Sequence, residues 1–496
     1  MKIINVFSFL LITLLSNAQK QGNIWYFGNH AGLDFSSGIS VALTNSATYN
    51  SGSSSHSEGT AVICDSSGSL LFYTNGRQIW NREHQIMLNG DSLLGHWSST
   101  QAALIVPLPE SNRYFYVFTT DAFYEDNLKY GLRYSIVDIC LDNGLGDVMP
   151  RDTGNTRYKN ITRYKNIKLL DTVAEKLTAV RHANGIDYWI ITHKYYSDAF
   201  YSYHLSLAGI IDTVISHVGS RHPDIAASQI TGAAIGQLKA SPDGQKLAIV
   251  NGNAGGHSIA EIFDFNRNSG IVSNYVSVQT DTMKDYYGVS FSSDNSKLYI
   301  STTMSVNGIY QFDLTAGNGN PDSIRTSKKQ IISNGRYYAI QLGIDGKIYL
   351  AKEGSYLSVI NNPNISGLNC NYEDLAIYLY GQCSLGLPNF IDSYNYSNTT
   401  YNCGSGIEEQ KQQSAINIFP NPSNGAFQII NLACRQVGIK YQKAKIEVYN
   451  TLGKIMYETT MNGGEKTINL NVPNGIYIIH IVCEEGSVVK KIVIRQ

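Results

Sequence analysis

A strand, a tight turn and a second strand recur along this chain at a fixed spacing. Residues 235–240 lead into the turn Ser241-Pro242-Asp243-Gly244, and a second strand follows over residues 245–253, with Leu247, Ile249 and Val250 as its apolar members. Pro pre-sets a negative φ in that turn and Gly accepts a positive one, so reversal there is cheap. Residues 259–265 alternate apolar and polar as a third strand, and residues 271–278 supply a fourth. The pattern returns at 287–300 and 339–350, where Asn295 and Gly346 occupy the place of Gly244, each 51 residues after the last. Weaker copies at 58–73, 102–118 and 177–191 bring the number to six. One such sheet cannot bury both faces alone. A period of roughly 40 to 50 residues with four strands per unit predicts a β-propeller.

The chain ends supply two fragments that complete each other. Residues 21–35, with Trp25, give two short strands, and residues 385–394, with Phe390, give an inner strand with nothing after it. Pairing the Trp25 strand with the Phe390 strand in one sheet would close the open edges. The expected fold class is therefore all-β: a seven-bladed β-propeller over residues 19–394, followed by a small C-terminal Ig-like β-sandwich. Residues 395–414 are polar and read as a linker. From residue 415 short alternating strands between Gly and Asn turns fill about eighty residues.

Residues 1–18 carry one Lys, an apolar run over 3–15, and Ser16-Asn17-Ala18 with small residues before the expected cleavage point. That is a secretory signal peptide. No other stretch approaches the roughly 18 apolar residues of a helical membrane span. The net charge of −1 leaves no electrostatic footprint for nucleic acid or an anionic membrane. The linking stretch 141–173 contains a direct duplication, Thr156–Ile161 repeated as Thr162–Ile167, and reads as a surface loop.

Phe419-Pro420-Asn421-Pro422-Ser423-Asn424-Gly425, Val448 to Gly453, Asn474-Gly475-Ile476-Tyr477 and the terminal Lys490-Lys491-Ile492-Val493-Ile494 together resemble the type A C-terminal sorting domain of the Bacteroidota type IX secretion system. The resemblance implies an export signal without catalysis, handled by the type IX machinery, with Pro420, Asn421, Pro422, Gly425, Gly453, Gly475, Lys490 and Lys491 carrying the match. It implies a protein secreted from the cell or attached to its outer surface. The preceding repeats, with Ser57-Glu58-Gly59-Thr60-Ala61 and Gly386-Leu387-Pro388-Asn389-Phe390, look like the surface propellers of gliding-associated and adhesin-like proteins from the same bacteria.

Seven cysteines in an exported chain permit disulfides and leave one over. Cys370 and Cys383, bracketing a strand at 376–380, are the favoured pair, with Cys403 as a competing partner. Cys434 and Cys483 share the tail and could pair across it; Cys64 and Cys140 fall on expected strands, where a buried free thiol competes on at least equal terms with a disulfide. No spacing resembles a zinc site and no cofactor motif is present. The Asp residues at 243, 294 and 345 belong to hairpin turns that lack the further oxygen ligands of a calcium loop. His182, His193 and His204 read as structural.

Polar residues at the starts of inner strands should face a shared channel: Glu58, Thr60, Thr100, Gln101, Thr178, Gln237, Lys239, Gln341 and Asn389. Two functional classes follow. The first is a monomeric, non-catalytic platform for binding or adhesion to a surface protein or glycan. The second is a secreted lyase or glycosidase using Glu58 or another channel carboxylate as acid or base. A glycosidase needs two carboxyl groups flanking the bond, and Glu58 lacks an evident second among the inner-strand candidates.

Overall fold

The computed structural model describes residues 20–49, 57–149, 164–222, 232–252, 258–278, 285–303, 308–394, 396, 403, 416–431, 443–450, 454–462, 465–483 and 486–495. The expected signal peptide, most of the expected linker, the first copy of the duplicated hexamer, Cys434 and Gly453 lie outside them. Among the described residues no helix is long and apolar enough to cross a membrane.

The chain is all-β. Among the described residues, seven antiparallel sheets precede residue 384, each built from consecutive strands. The first sheet holds Ile24–Phe27, Ala31–Asp34 and Val41–Ala42, and the second Ala61–Cys64, Leu70–Thr74 and Ile79–Asn81. The third begins at Ala103–Pro107, the fourth at Val173–Arg181, the fifth at Leu238–Ala240, the sixth at Tyr286–Phe291 and the seventh at Ile340–Leu342. The recurring turn joins the first and second strands of the last three. Gly244, Asn295 and Gly346 have φ of 69°, 64° and 79°, the left-handed region that Gly and Asn enter most readily. Asp243, Asp294 and Asp345 each accept a backbone N–H from within their own turn.

First strands of consecutive sheets touch all along this series, from Ile24–Phe27 and Ala61–Cys64 to Tyr286–Phe291 and Ile340–Leu342. Their approach is close enough to dictate sequence. A Cβ on Gly59 would lie 2.1 Å from the Ala102 nitrogen, and one on Gly386 would lie 1.7 Å from the Glu58 carbonyl oxygen. Glycine stands at both positions because backbone meets backbone there.

The two chain ends meet, but not through the expected pairing. Ile24–Phe27 pairs with Ala31–Asp34, whereas the segment around Phe390 runs parallel to the second sheet: Pro388 bridges Thr60, and Asn389 N–H donates to the Thr60 carbonyl. Contact between Trp25 and Phe390 is made by side chains. The fully buried Trp25 ring lies 5.7 Å from Phe390, 5.3 Å from Tyr349 of the seventh sheet and 5.0 Å from Phe35. The backbone bond between these ends is at Asn29 and Gln382, which exchange both N–H groups.

The cysteines also differ from expectation. Cys140 and Cys403 form a disulfide, with Cα atoms 5.1 Å apart, while Cys370 and Cys383 are free, buried thiols. Strand Tyr372–Cys383 is twelve residues long rather than five, so it carries the two cysteines toward opposite ends of a span of roughly 35 Å. In the second copy of the duplication, Lys165 donates to Asn89 and Asp91, and Asn166 accepts from Leu94 N–H, so this copy clamps the 89–94 loop.

Residues 416–495 form two more sheets. Ile416–Phe419, Ala426–Asn431 and Glu465–Asn469 make one; Lys443–Asn450, Ile455–Asn462, Gly475–Cys483 and Gly486–Ile494 make the other. Phe427, Ile429 and Ile468 of the first join Ile446, Val448, Ile479 and Ile492 of the second in one core, a β-sandwich. Asn421 holds the start of the tail to its last strand, donating to the Lys491 carbonyl and accepting from Val493 N–H. Gly425 has φ of 107° and its carbonyl accepts from Leu470 N–H. Gly475, Lys490 and Lys491 lie on the paired strands at the C-terminus, Lys490 opposite Ile479 and Lys491 opposite Ile478.

Candidate functional site

The first strands converge on a polar centre that sorts into two layers. In the deeper one, Gln101 and Asn389 act as four-way connectors. The Gln101 amide donates to the Leu177 and Leu238 carbonyls and accepts from the N–H groups of the same two residues, tying the third sheet to the fourth and fifth. The Asn389 amide donates to the carbonyls of Ala103 and Leu177 and accepts from Gln101 and Lys239. Lys239 also donates to Gln341 at 2.5 Å and to Asp392 at 3.0 Å. The second Asp392 oxygen accepts from Ala240 N–H and from the Thr178 hydroxyl. Gln237 accepts from the N–H groups of Val289 and Ile340, joining the sixth and seventh sheets. Gln341 and Tyr394 both donate to the Leu342 carbonyl. A buried polar group without a partner costs about 1–3 kcal/mol, and here Gln101, Lys239, Gln341 and Asn389 each have several.

Residues 388–394 thus lie across the centre and are held by its walls. Asn389 reaches the third and fourth sheets, Asp392 the fourth and fifth, and Tyr394 the seventh. Asp392 and Tyr394 were not among the residues expected from sequence. The signal for Asp392 was available: a buried Lys239 needs a carboxylate, and Asp392 lies three residues after Asn389.

The other layer, at the starts of the first strands, is acidic. Glu58 accepts from the Ser98 hydroxyl at 3.2 Å and from the Tyr287 hydroxyl. Glu175, on the first strand of the fourth sheet, accepts from the backbone N–H and hydroxyl of Thr100, both at 2.9 Å, and from Phe123 N–H at 2.8 Å. Thr100 is in turn close to Tyr287, so the two acids belong to one network. Burial, reinforced by the Glu175 charge, pushes the Glu58 carboxyl well above the ordinary range, against the hydrogen bonds from Tyr287 and Ser98. Burial raises Glu175 too, partly offset by its N–H donors. Lys176 is pushed down by burial and spends its ammonium on the Ala234 and Ile235 carbonyls. Glu175 is therefore the second carboxylate that the sequence reading lacked. It went unseen because its strand begins four residues before the copy aligned at Leu177.

Thr60 faces elsewhere, donating to the Tyr26 carbonyl. Glu58 and Lys239 sit in different layers, and each has other partners.

Residues 417–495 match the family described as the secretion system C-terminal sorting domain. No curated protein matches the chain. Among solved structures, the chain is similar to PorZ, a surface component of the type IX secretion system of Porphyromonas gingivalis, at 12% identity and TM-score 0.34, over 94% of this chain and 63% of that one. It thus spans a little under two thirds of PorZ. It is similar to the GH74 enzyme of Niastella koreensis at 9% identity and TM-score 0.39, over 95% of this chain and 65% of that one. For the periplasmic gluconolactonase of Pseudomonas aeruginosa the values are 11% and 0.33, over 95% and 100%. At these scores the likenesses carry no functional argument. The tail does: a sorting domain at residues 417–495 makes this chain a cargo of type IX secretion, bound for the cell surface or the medium.

Proposed function

We propose that the seven sheets form a seven-bladed β-propeller, that the tail is an Ig-like sorting domain, and that the exported protein is a non-catalytic platform for binding or adhesion. One observation carries this reading. The polar groups at the centre are engaged by one another and by the sheet backbones, with Gln101, Lys239, Gln341 and Asn389 each no more than 3% exposed. A group whose hydrogen bonds already hold sheets together gains nothing by turning to a ligand. Recognition then falls to the loops and outer strands, and the partner is a surface protein or a glycan met by a monomer.

The second reading, a lyase or glycosidase, draws on the Glu58–Glu175 pair. Against it, Glu175 is 1% exposed and both its oxygens are taken up by donors, the Thr100 and Phe123 N–H groups and the Thr100 hydroxyl. A glycan array combined with a hydrolase and lyase screen on protein collected from the medium separates the two. Array binding without turnover is expected; turnover abolished by Glu58→Gln with an unchanged Tm would establish the enzyme. Deleting residues 416–496 should leave a folded protein in the periplasm, and its normal appearance outside the cell would contradict the sorting role.

A further inference from the structure

Far from the polar centre, the hairpin after Val173–Arg181 brings three metal-ligating side chains together. His182 and Asp187 close the turn, with His182 N–H donating to the Asp187 carbonyl at 2.8 Å. His204, on strand Ser197–Ser206, lies opposite Trp189 in the ladder. One ligating atom from each of His182, Asp187 and His204 lies within 4.8 Å of the others.

We infer that His182, Asp187 and His204 form a binding site for a borderline divalent transition ion, with Zn2+ as its representative. Two neutral imidazoles and a carboxylate are the donor set such ions prefer. The spacing of the donors fits one coordination shell. His204 Nε2 is 2.9 Å from Asp187 Oδ2, and His182 Nε2 is 3.1 Å from the Asn268 carbonyl oxygen, itself a usable ligand. Ligands about 2.1 Å from one ion stand roughly 3.0–3.5 Å from each other. Asn184 donates its amide to the Asp187 carboxylate, the outer-shell contact that fixes a ligating carboxylate, and its N–H to His182 Nδ1, which leaves the ring hydrogen of His182 on Nε2, facing the Asn268 carbonyl. The side chains of His204 and Asp187 are 15% and 14% exposed, open enough for an ion to enter.

Entry requires the Nε2 hydrogen of His182 to move to Nδ1, with loss of the Asn184 N–H bond, and one ring to turn. The His182 and His204 rings are stacked 4.7 Å apart with planes 7° from parallel, so their lone pairs run side by side. His182 is held by two backbone groups and His204 by the Asp187 carboxylate, so His204 is the ring that turns. It lies 4.7 Å from the Trp189 ring at a tilt of 34°, and Trp189 is fixed by its indole N–H to the Arg267 carbonyl and by Gly270 against its face. Turning His204 therefore changes the surroundings of Trp189, which becomes the reporter.

The test is a titration of EDTA-stripped full chain with Zn2+ alone, followed by calorimetry and tryptophan emission. One ion per chain is expected, with an emission change that Trp189→Phe removes. His204→Gln and Asp187→Asn should each weaken binding by about tenfold or more. Absence of binding heat, or unchanged affinity in both variants, overturns the site. Should His204→Gln melt early, a visible Co2+ absorption band in the unmutated protein, displaced by Zn2+ and weakened in His182→Gln, decides the matter; its absence counts against the inference.

Discussion

The two layers of the polar centre are built from similar residues and behave in opposite ways. In the deeper layer the charges are complementary: the Lys239 ammonium faces Asp392, and the amides of Gln101, Gln341 and Asn389 take up the remaining donors and acceptors. In the layer above, two carboxyl groups share a hydroxyl network, and the nearby Lys176 ammonium is bound to carbonyls instead. Burial thus strengthens the first layer, because opposite charges attract more in a low dielectric, and penalises the second, because like charges repel more there. Shape and position alone would have made both layers equivalent candidates for a ligand site. Their charge balance separates a fixed joint from a pair of buried acids whose carboxyls burial pushes toward the protonated form.

The comparison breaks most visibly at Lys239. Lys239→Met leaves Asp392 buried with only a hydroxyl and one N–H, and the expected loss is about 3–5 kcal/mol in urea unfolding. A loss below 1 kcal/mol would mean that the deeper layer is not holding the sheets together. Trp25→Ala removes the apolar contact between the chain ends and should cost about 3 kcal/mol. The Cys140–Cys403 bond closes a loop of 263 residues; Cys140→Ser should cost about 2–4 kcal/mol, and non-reducing peptide mapping should find this crosslink and none at Cys370 or Cys383.

The smallest effect concerns the acidic layer and is read in pH. Glu58 and Glu175 have folded-state values above their unfolded ones, so the folded protein keeps protons that the unfolded chain has released. Their contribution is fully present below about pH 4.5 and is lost as pH rises through the folded values. Glu58→Gln should flatten the decline in stability between pH 5 and pH 8. The buried His193 and His222 act with the other sign. Burial lowers both, with His222 pushed down to about 3, so their contribution weakens as pH falls below about 6.5. A Glu58→Gln protein with the slope of the unmutated chain would place the acids' protons elsewhere.

The all-β class and the strand-turn-strand order were legible from the turn residues. The Gly244, Asn295 and Gly346 register mark stands on three equivalent turns, and Gln101, Lys239, Gln341 and Asn389 are bonded to one another, whereas Thr60 faces elsewhere. What escaped the sequence depends on long-range placement. Nothing local says that the Phe390 segment lies beside Thr60 and not beside Trp25, since either pairing satisfies an apolar strand. Cys403 sits in a polar stretch with no periodicity, so its partner 263 residues away left no trace. Glu175 was masked by the irregular pairing between Val173 and Leu177, which shifts the strand out of the repeat's register.

Hydrogen–deuterium exchange across residues 385–394 tests the central claim most directly. Asn389 N–H bonds to Thr60, and the side chains of Asn389, Asp392 and Tyr394 join that segment to the third, fourth, fifth and seventh sheets. If the centre is a fixed joint, its amides exchange as slowly as those of Leu238–Ala240 and Ile340–Leu342, through global unfolding alone. Fast exchange confined to residues 385–394, with the neighbouring strands still protected, would show that the segment swings away and opens the centre to a ligand, contrary to the account given.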